Sequence, residues 1–152
     1  MLCWRLIKQR RKGDVLSGEG SRLYGARWNH PGVSIIYAAT TLSLAALEVS
    51  VHLDRKEADL QFLAVELYVP DAYTEAIDVE SLPPGWRNTP SIESCKDLGS
   101  TWAREQRSLV LKVPSIIIPQ EQNILLGCDH TEMSRVKVNA MHNFTFDSQL
   151  WK

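Results

Sequence analysis

An apolar run followed directly by an amphipathic helix pattern constrains this chain more than any other feature of its sequence. Residues 33–39 read VSIIYAA, a short run typical of a buried strand. Residues 41–53 then predict a helix with one apolar face, which carries Leu44, Leu47 and Val51. Glu48 lies at the edge of that face. A carboxylate near a core interface is unfavourable without a partner or a function, so Glu48 is a candidate site residue.

Glycine and arginine are concentrated just before this strand. Gly18, Gly20 and Gly25 permit backbone conformations and close approaches that a side chain would prevent. Arg27 follows Gly25 closely, and its planar guanidinium suits bidentate capture of a phosphate or a carboxylate. Tyr37 adds one hydroxyl group to the apolar strand. These residue types, gathered within one strand and helix, predict a ligand site.

The overall composition is typical of a small domain in a reducing compartment. A chain of 152 residues is long enough to bury roughly 70% of its unfolded surface. The formal net charge of −1 gives no general attraction to nucleic acid or to anionic membranes. Three scattered cysteines argue against a disulfide framework, and no segment is typical of a signal peptide or a membrane span. We therefore expect a cytoplasmic protein.

The rest of the sequence predicts mainly β-structure. Hydrophobic residues alternate in residues 62–69, which indicates a strand with one buried face. Further strand-like segments are residues 75–79, 108–113, 115–118, 133–139 and 142–147. Residues 94–107 predict a helix with Leu98 and Trp102 facing inward, and the prolines and glycine of residues 81–90 indicate a loop. This pattern favours an α+β domain with a mostly antiparallel, curved sheet.

The segments GEGSRLYGARWNHPG and IIYAATTLSLAALEVSVH resemble the RES domain, the toxin component of a bacterial toxin–antitoxin pair. Arg27 matches the arginine of the family's G-G-R-W-N motif, Tyr37 matches the tyrosine of its following strand, and Glu48 matches its helix glutamate. Ser115 matches the family's serine in VPSIIIPQEQNILL, and the ending FTFDSQLW resembles its closing strand. Three departures from the family pattern are Ala26, the sequence GCDH at 127–130, and Gln149.

The resemblance implies a single RES domain over residues 1–152, with an ADP-ribosyltransferase-like fold: a split, curved, mostly antiparallel β-sheet core with flanking helices. It also implies a toxin that degrades NAD by cleaving the nicotinamide–ribose bond, through hydrolysis or phosphorolysis. NAD would be the substrate, and no cofactor would be required. Two alternatives remain: an ADP-ribosyltransferase that modifies a protein target, and a catalytically inactive NAD-binding module.

The resemblance also implies the roles of the candidate residues. Glu48 would bind the nicotinamide-ribose hydroxyls and offset the positive charge that develops on the ribose. Arg27 and the backbone at Gly25 would hold the pyrophosphate, and Tyr37 would stack on the nicotinamide ring. The remaining substrate-binding candidates are Ser115, which would hydrogen-bond the ribose or carboxamide, and Asn123.

The expected partner is a helix-turn-helix antitoxin of the Xre type, again implied by the resemblance. The oligomeric state stays open, a homodimer included, and we expect neither membrane association nor direct nucleic-acid binding. A nucleic-acid-binding module is the hypothesis from another class, motivated by Trp4, Trp28 and a basic N-terminal stretch. The slightly negative charge and the lack of a groove-reading motif argue against it.

Three other polar groups have ordinary structural interpretations. The basic stretch of Arg5, Lys8, Arg10, Arg11 and Lys12 predicts a solvated strand edge, although Arg5 could instead reach a phosphate. The cluster at 128–130 (Cys, Asp, His) lacks a second ligand pair at zinc spacing, so we expect no metal site. His52 lies one turn beyond Glu48, where it could simply pack or cap the helix.

Overall fold

The secondary structure comes from a computed structural model that describes residues 1–57, 59–71 and 74–151. Within these ranges the strands are β1 (Leu2–Lys8), β2 (Ile35–Ala39), β3 (Phe62–Tyr68), β4 (Thr74–Ala76), β5 (Val110–Pro114), β6 (Gln122–Gly127) and β7 (Lys137–Phe144). The α-helices are α1 (Glu19–Tyr24), α2 (Leu42–Ser50) and α3 (Glu93–Glu105). No helix in the described ranges is long and apolar enough to cross a membrane.

All seven strands belong to one sheet, in the order β4-β5-β6-β2-β1-β3-β7. Neighbouring strands are antiparallel except β4 and β5, which are parallel. A sheet of this kind with few helices confirms the predicted α+β class. The strand expected at 75–79 is present as the short edge strand β4. The strand β6, which lies between β5 and β2, was not predicted as a separate element.

The sheet is divided near its centre, between β1 and β2. These two strands pair only through Trp4 and Ala39, whereas β1 pairs with β3 along its whole length. Below this junction β2 needs another partner for its free backbone edge. Ser21 of α1 supplies it, since its hydroxyl accepts a hydrogen bond from the Ile35 N–H at 2.9 Å and lies 2.6 Å from the Ile35 carbonyl oxygen.

Three apolar clusters hold the sheet and its helices together. One packs α3 against the sheet through Trp28, Ile35, Trp102, Leu111 and Leu125. Another packs α2 against the sheet through Leu6, Ala39, Leu44, Phe62 and Phe146. The third includes Cys3, Ile36, Val65, Leu126 and Val136. Both faces of β3 are buried over most of its length, so the prediction of a single buried face was wrong.

The apolar face predicted for α2 was partly wrong. Leu44 is buried, but Leu47 and Val51 are 38% and 56% exposed. The helix instead anchors itself through Leu44 and Ala45, and Val51 lies at the wall of a cavity. The apolar pattern therefore marks the border of a ligand-sized opening as well as the core.

The sequence near Pro114 forms one strand and a turn, not two strands. β5 ends at Pro114, and residues 115–118 do not belong to a strand. The Ser115 hydroxyl accepts hydrogen bonds from the backbone N–H groups of Ile117 and Ile118, each at 3.1 Å. Satisfying these groups locally turns the chain away from the sheet. The two strands predicted at 133–139 and 142–147 are one strand, β7 (Lys137–Phe144), and 3₁₀ turns precede and follow it at Thr131–Arg135 and Ser148–Trp151.

A glycine in α3 permits a close approach of the backbone near the divided sheet. A Cβ atom added at Gly99 would lie 1.9 Å from the carbonyl oxygen of Trp28. The turn that carries Trp28 and Arg27 therefore rests directly on the α3 backbone. Gly99 weakens the helix by its propensity, but this close approach requires it.

Replacing Gly99 with Ala should destabilise the protein, although Ala usually stabilises a helix. Because the backbone of Trp28 blocks the new methyl group, we expect the free energy of unfolding to fall by roughly 3 kcal/mol. Urea denaturation would measure the change. Thr101→Ala, at an exposed position of the same helix, is the control and should change stability by less than about 0.5 kcal/mol. Equal stability of Gly99→Ala and the wild type would contradict the close contact.

Candidate active site

A cavity of about 620 Å³ lies where β1 and β2 diverge. Its wall includes most of the residues that the sequence singled out, namely Gly25, Arg27, Tyr37, Glu48 and Asn123. Arg27 reaches it from the turn after α1, Tyr37 from β2 and Glu48 from α2. The structure thus brings these residues together around one space, with Ser115 directly behind them.

Ser115 holds Glu48 in place from beneath the cavity wall. Its hydroxyl donates a 2.6 Å hydrogen bond to Oε1 of Glu48. The two backbone N–H groups that bond the same hydroxyl oxygen orient it, so its proton points to the carboxylate. No other protein donor reaches Glu48 among the described residues. Its second carboxylate oxygen, Oε2, is therefore available to a ligand.

This position favours a different role for Ser115 from the one that the family resemblance implies. The residue is 0% exposed and does not line the cavity. A direct hydrogen bond from Ser115 to a ribose or a carboxamide is not available in this structure. The side chain instead orients Glu48, which comes from a helix 67 positions earlier in the chain.

A buried asparagine fixes the hydroxyl group of Tyr37. The hydroxyl donates to Oδ1 of Asn29 at 2.5 Å and accepts from the Trp28 N–H at 3.2 Å. Asn29 is 0% exposed, and its Nδ2 donates to the backbone oxygens of Ser21, His30 and Val33. Burial raises the pKa of Tyr37 above its usual value, so the hydroxyl stays protonated and remains a donor.

The guanidinium of Arg27 already has protein partners. Nη1 donates to the carbonyl of Asn88 at 2.7 Å and to that of Trp86 at 3.4 Å, and Nη2 donates to Oγ1 of Thr89 at 3.2 Å. The capture of a phosphate or carboxylate expected of Arg27 stays a prediction, and it would use donors that these bonds leave available. One Nη2–H and the Nε–H have no protein acceptor within the described part of the chain. Burial lowers the pKa of Arg27, and nearby groups including Glu48 oppose this effect.

The turn around Arg27 is held on several sides. Ser91 donates its hydroxyl to the Arg27 carbonyl at 2.5 Å. His30 lies 2.6 Å from Asp97 of α3, which ties the end of the turn to that helix. Gly25 has a φ of +70°, and a Cβ there would lie 3.0 Å from the carbonyl oxygen of Asn29. Gly25 is thus required by the turn itself, and the close backbone approach to a ligand predicted for it stays a prediction.

The basic N-terminal stretch does not form a solvated strand edge. Arg5 lies on β1 in the interior of the sheet, donates a hydrogen bond to the Val15 carbonyl and lines the cavity. Its burial lowers its pKa. Arg10, Arg11 and Lys12 are exposed in the 3₁₀ segment Gln9–Asp14. The prediction was wrong because β1 lies between β2 and β3 in the interior of the sheet and is not an edge strand.

Two groups of residues contain side chains that can bind metals, one around Cys128 and one around His30. Burial and Asp129 raise the pKa of Cys128 to about 11, so its thiol is protonated at neutral pH and is a poor metal ligand. In the described ranges, His30, Glu93 and Asp97 place ligand atoms within 4.8 Å of one another. Both carboxylates are exposed, and the close His30–Asp97 pair already has a structural role in the turn.

Several residues at this site escaped the sequence analysis. Asn29 and Ser91 hold the turn, and Lys96 lines the cavity. His52 also lines the cavity, whereas the sequence suggested only a packing or capping role for it. Asn29 was part of the R-W-N motif, which was its only sequence signal. Lys96 comes from a distant helix, and no local pattern relates it to Glu48.

The fold and the sequence both have known relatives. A chain in the crystal structure of the M. tuberculosis MbcT–MbcA toxin–antitoxin complex matches with a TM-score of 0.79 and 20% identity, over 98% of this chain and 85% of that one. This similarity confirms the ADP-ribosyltransferase-like fold. The sequence model of the RES domain matches residues 2–148. The chain therefore belongs to the RES domain family.

Two curated relatives are similar over nearly their full length. The Prs ADP-ribosylating toxin of Sphingobium sp. (strain YBL2) is 36% identical over 152 residues, which cover 97% of this chain and 94% of that protein. Toxin Res of Yersinia enterocolitica is 31% identical over 151 residues, which cover 99% of each chain.

The hydrogen bond between Tyr37 and Asn29 can be tested by measuring the free energy of unfolding of variants. Asn29→Ala leaves buried carbonyls without a donor, so we expect a loss of about 3 kcal/mol in the free energy of unfolding. Tyr37→Phe removes the shared hydroxyl, and the double mutant should show a coupling energy of about 1 kcal/mol by urea denaturation. The control is the same double-mutant cycle with Tyr68→Phe, at an exposed tyrosine, in place of Tyr37→Phe. Strict additivity of Asn29→Ala and Tyr37→Phe would exclude the interaction.

Proposed function

We propose that this chain is an enzyme that consumes NAD by cleaving its nicotinamide–ribose bond. The observation that carries the proposal is the geometry of Glu48: a carboxylate oriented by a fully buried serine, with its second oxygen available at the wall of a cavity. A carboxylate fixed in advance can stabilise positive charge that develops in a transition state without reorganising.

The single carboxylate of this cavity fits the chemistry of NAD. Glu48 is the one acidic residue among the described cavity walls. Hydrolysis of an ordinary glycoside normally uses two carboxylates, one of which protonates the leaving group. Nicotinamide needs no proton, because its ring nitrogen carries a positive charge in NAD and becomes neutral when the bond breaks. The enzyme then mainly needs to stabilise the oxocarbenium-like ribose, and Glu48 supports that role.

The other cavity residues suit the remainder of the substrate. Arg5, Arg27 and Lys96 bring positive charge to the wall, which favours a pyrophosphate. Tyr37 offers its ring for the nicotinamide while Asn29 holds its hydroxyl group. Asn123 adds an amide group. In this proposal Ser115 acts through Glu48 and makes no contact with the substrate.

The relatives support a toxin role for the reaction. Both relatives are named as toxins, and the solved structure is a toxin–antitoxin complex. We infer that this chain acts in the bacterial cytoplasm and that an antitoxin, of the helix-turn-helix Xre type, neutralises it. The acceptor in our proposal is water or inorganic phosphate. Transfer of ADP-ribose to a protein target is the second candidate, supported by the name of the Sphingobium relative.

The purified chain should release nicotinamide from NAD without a redox partner. Glu48→Gln keeps the shape but loses the charge, so we expect turnover to fall by about a hundredfold. Chromatography of the products measures nicotinamide and separates ADP-ribose, its phosphate and ADP-ribosylated protein. Glu80→Gln, at an exposed glutamate outside the cavity, is the matched control and should keep wild-type turnover. Unchanged turnover in Glu48→Gln would refute the catalytic assignment, and NAD binding without turnover would favour the inactive module.

Ser115→Ala should separate positioning from substrate contact. Because the variant loses one charge-assisted hydrogen bond to Glu48, we expect kcat to fall by about tenfold while KM for NAD stays near its wild-type value. Ser115→Thr, which restores a hydroxyl, should recover part of the rate where it folds. A selective rise in KM with an unchanged kcat would instead assign Ser115 to substrate binding.

Expression of the chain alone should arrest bacterial growth and deplete cellular NAD. Glu48→Gln should abolish both effects at equal protein levels, since the proposed toxicity depends on the reaction. Co-expression of the protein encoded beside this gene should restore growth if that protein is the antitoxin. Normal growth with unchanged NAD, in cells that contain active wild-type protein, would contradict the toxin role.

A further inference from the structure

A second cavity adjoins the proposed site and, like it, is lined by residues of both β1 and β2. It has a volume of about 320 Å³ and lies between β1, α1 and the 3₁₀ segment before α1. Both cavities share five wall residues: Arg5, Tyr24, Gly25, Ala26 and Tyr37. The two spaces therefore meet at the position where β1 and β2 diverge. A ligand longer than one cavity could occupy both.

Gly20 lines this second cavity and has no structural reason to be glycine. Gly18 and Gly25 have positive φ angles, and a Cβ at Gly18 would lie 2.5 Å from the Cys128 sulfur. Gly20 instead lies within α1 without a positive φ, and a Cβ there would meet only Nη1 of Arg11 at an ordinary 3.6 Å. Glycine inside a helix costs about 1 kcal/mol relative to alanine. The missing side chain at Gly20 therefore leaves space in the cavity and does not stabilise the fold.

The polar groups of this cavity differ from those around Glu48. Arg11 offers a guanidinium that has no ion pair or hydrogen bond among the described residues. Tyr24 is 78% exposed and offers a free aromatic face, and Asp14 offers a carboxylate. Arginine suits a phosphate, an aromatic ring suits a purine, and a carboxylate accepts hydrogen bonds from ribose hydroxyls. The first cavity provides no free carboxylate besides Glu48 for a second ribose.

We propose that the second cavity binds the adenosine monophosphate half of NAD, while the first cavity holds the half that reacts. This inference rests on the proposed NAD-cleaving function. The shared wall of Arg5 and Tyr37 then lies between the two nucleotide halves. Gly20 leaves the space for the adenosine, and Arg11 supplies positive charge to its phosphate.

Two substrates with the same scissile bond can test this assignment. Nicotinamide mononucleotide contains the nicotinamide–ribose bond but lacks the adenosine monophosphate half. Gly20→Leu should fill the second cavity, so we expect kcat/KM for NAD to fall about tenfold or more while that for the mononucleotide changes less than twofold. Gly13→Leu is the matched control, because Gly13 is an exposed glycine outside both cavities. Gly13→Leu should leave the ratio of kcat/KM for NAD to kcat/KM for the mononucleotide unchanged.

A charge variant tests the same cavity without adding bulk. Arg11→Ala should also lower kcat/KM selectively for NAD, whereas Arg10→Ala, which removes the neighbouring arginine outside both cavities, should not. Adenosine monophosphate should inhibit the wild type competitively, and Gly20→Leu should weaken this inhibition about tenfold.

The possible outcomes separate this inference from the proposed function. Equal effects on both substrates, or no effect of either cavity variant, would overturn the subsite while leaving the reaction in place. Cleavage of neither substrate by folded wild-type protein would refute the proposed function itself. Circular dichroism of each variant would confirm that the comparison uses folded protein.

Discussion

The single backbone junction between β1 and β2 governs the arrangement of this molecule. Two strands that pair only at Trp4 and Ala39 leave backbone and side-chain groups facing an opening instead of a continuous ladder. Those groups need other partners, because unpaired buried polar groups are unfavourable. Ser21 bonds the free edge of Ile35, and Arg5 bonds the Val15 carbonyl. The opening is therefore a stable part of the fold, already lined with polar groups before any ligand arrives.

Two hydrogen-bonded pairs hold the candidate site in place, and the sequence separation between the two members differs greatly from one pair to the other. Tyr37 and Asn29 are eight positions apart and belong to one local unit. Glu48 and Ser115 are 67 positions apart, and their bond links α2 to the end of β5. Local pairs keep the shape of the turn, while the distant pair fixes a charge relative to the sheet.

This difference explains how far the sequence could predict the site. Arg27, Tyr37 and Glu48 lie within one strand-and-helix unit, so their meeting around a cavity follows from short-range geometry and from the family motif. The position of Ser115 behind Glu48 depends on how β5 and α2 pack, and no local pattern contains that information. The same applies to β1, whose basic residues indicate a solvated edge until its two neighbouring strands are known. Apolar periodicity in α2 likewise cannot distinguish a core from the wall of a cavity.

The bonds between Arg27 and the segment 86–89 link binding to local motion. The guanidinium that faces the cavity also closes this loop through two carbonyls and one hydroxyl. An anion that takes donors from the loop would loosen it, whereas an anion that uses the remaining donors would leave the loop as it is. Loop opening and site occupancy are therefore coupled equilibria, and each must change the other by the same free energy. Amide hydrogen exchange in this loop would report occupancy of a cavity whose wall includes none of residues 86–89.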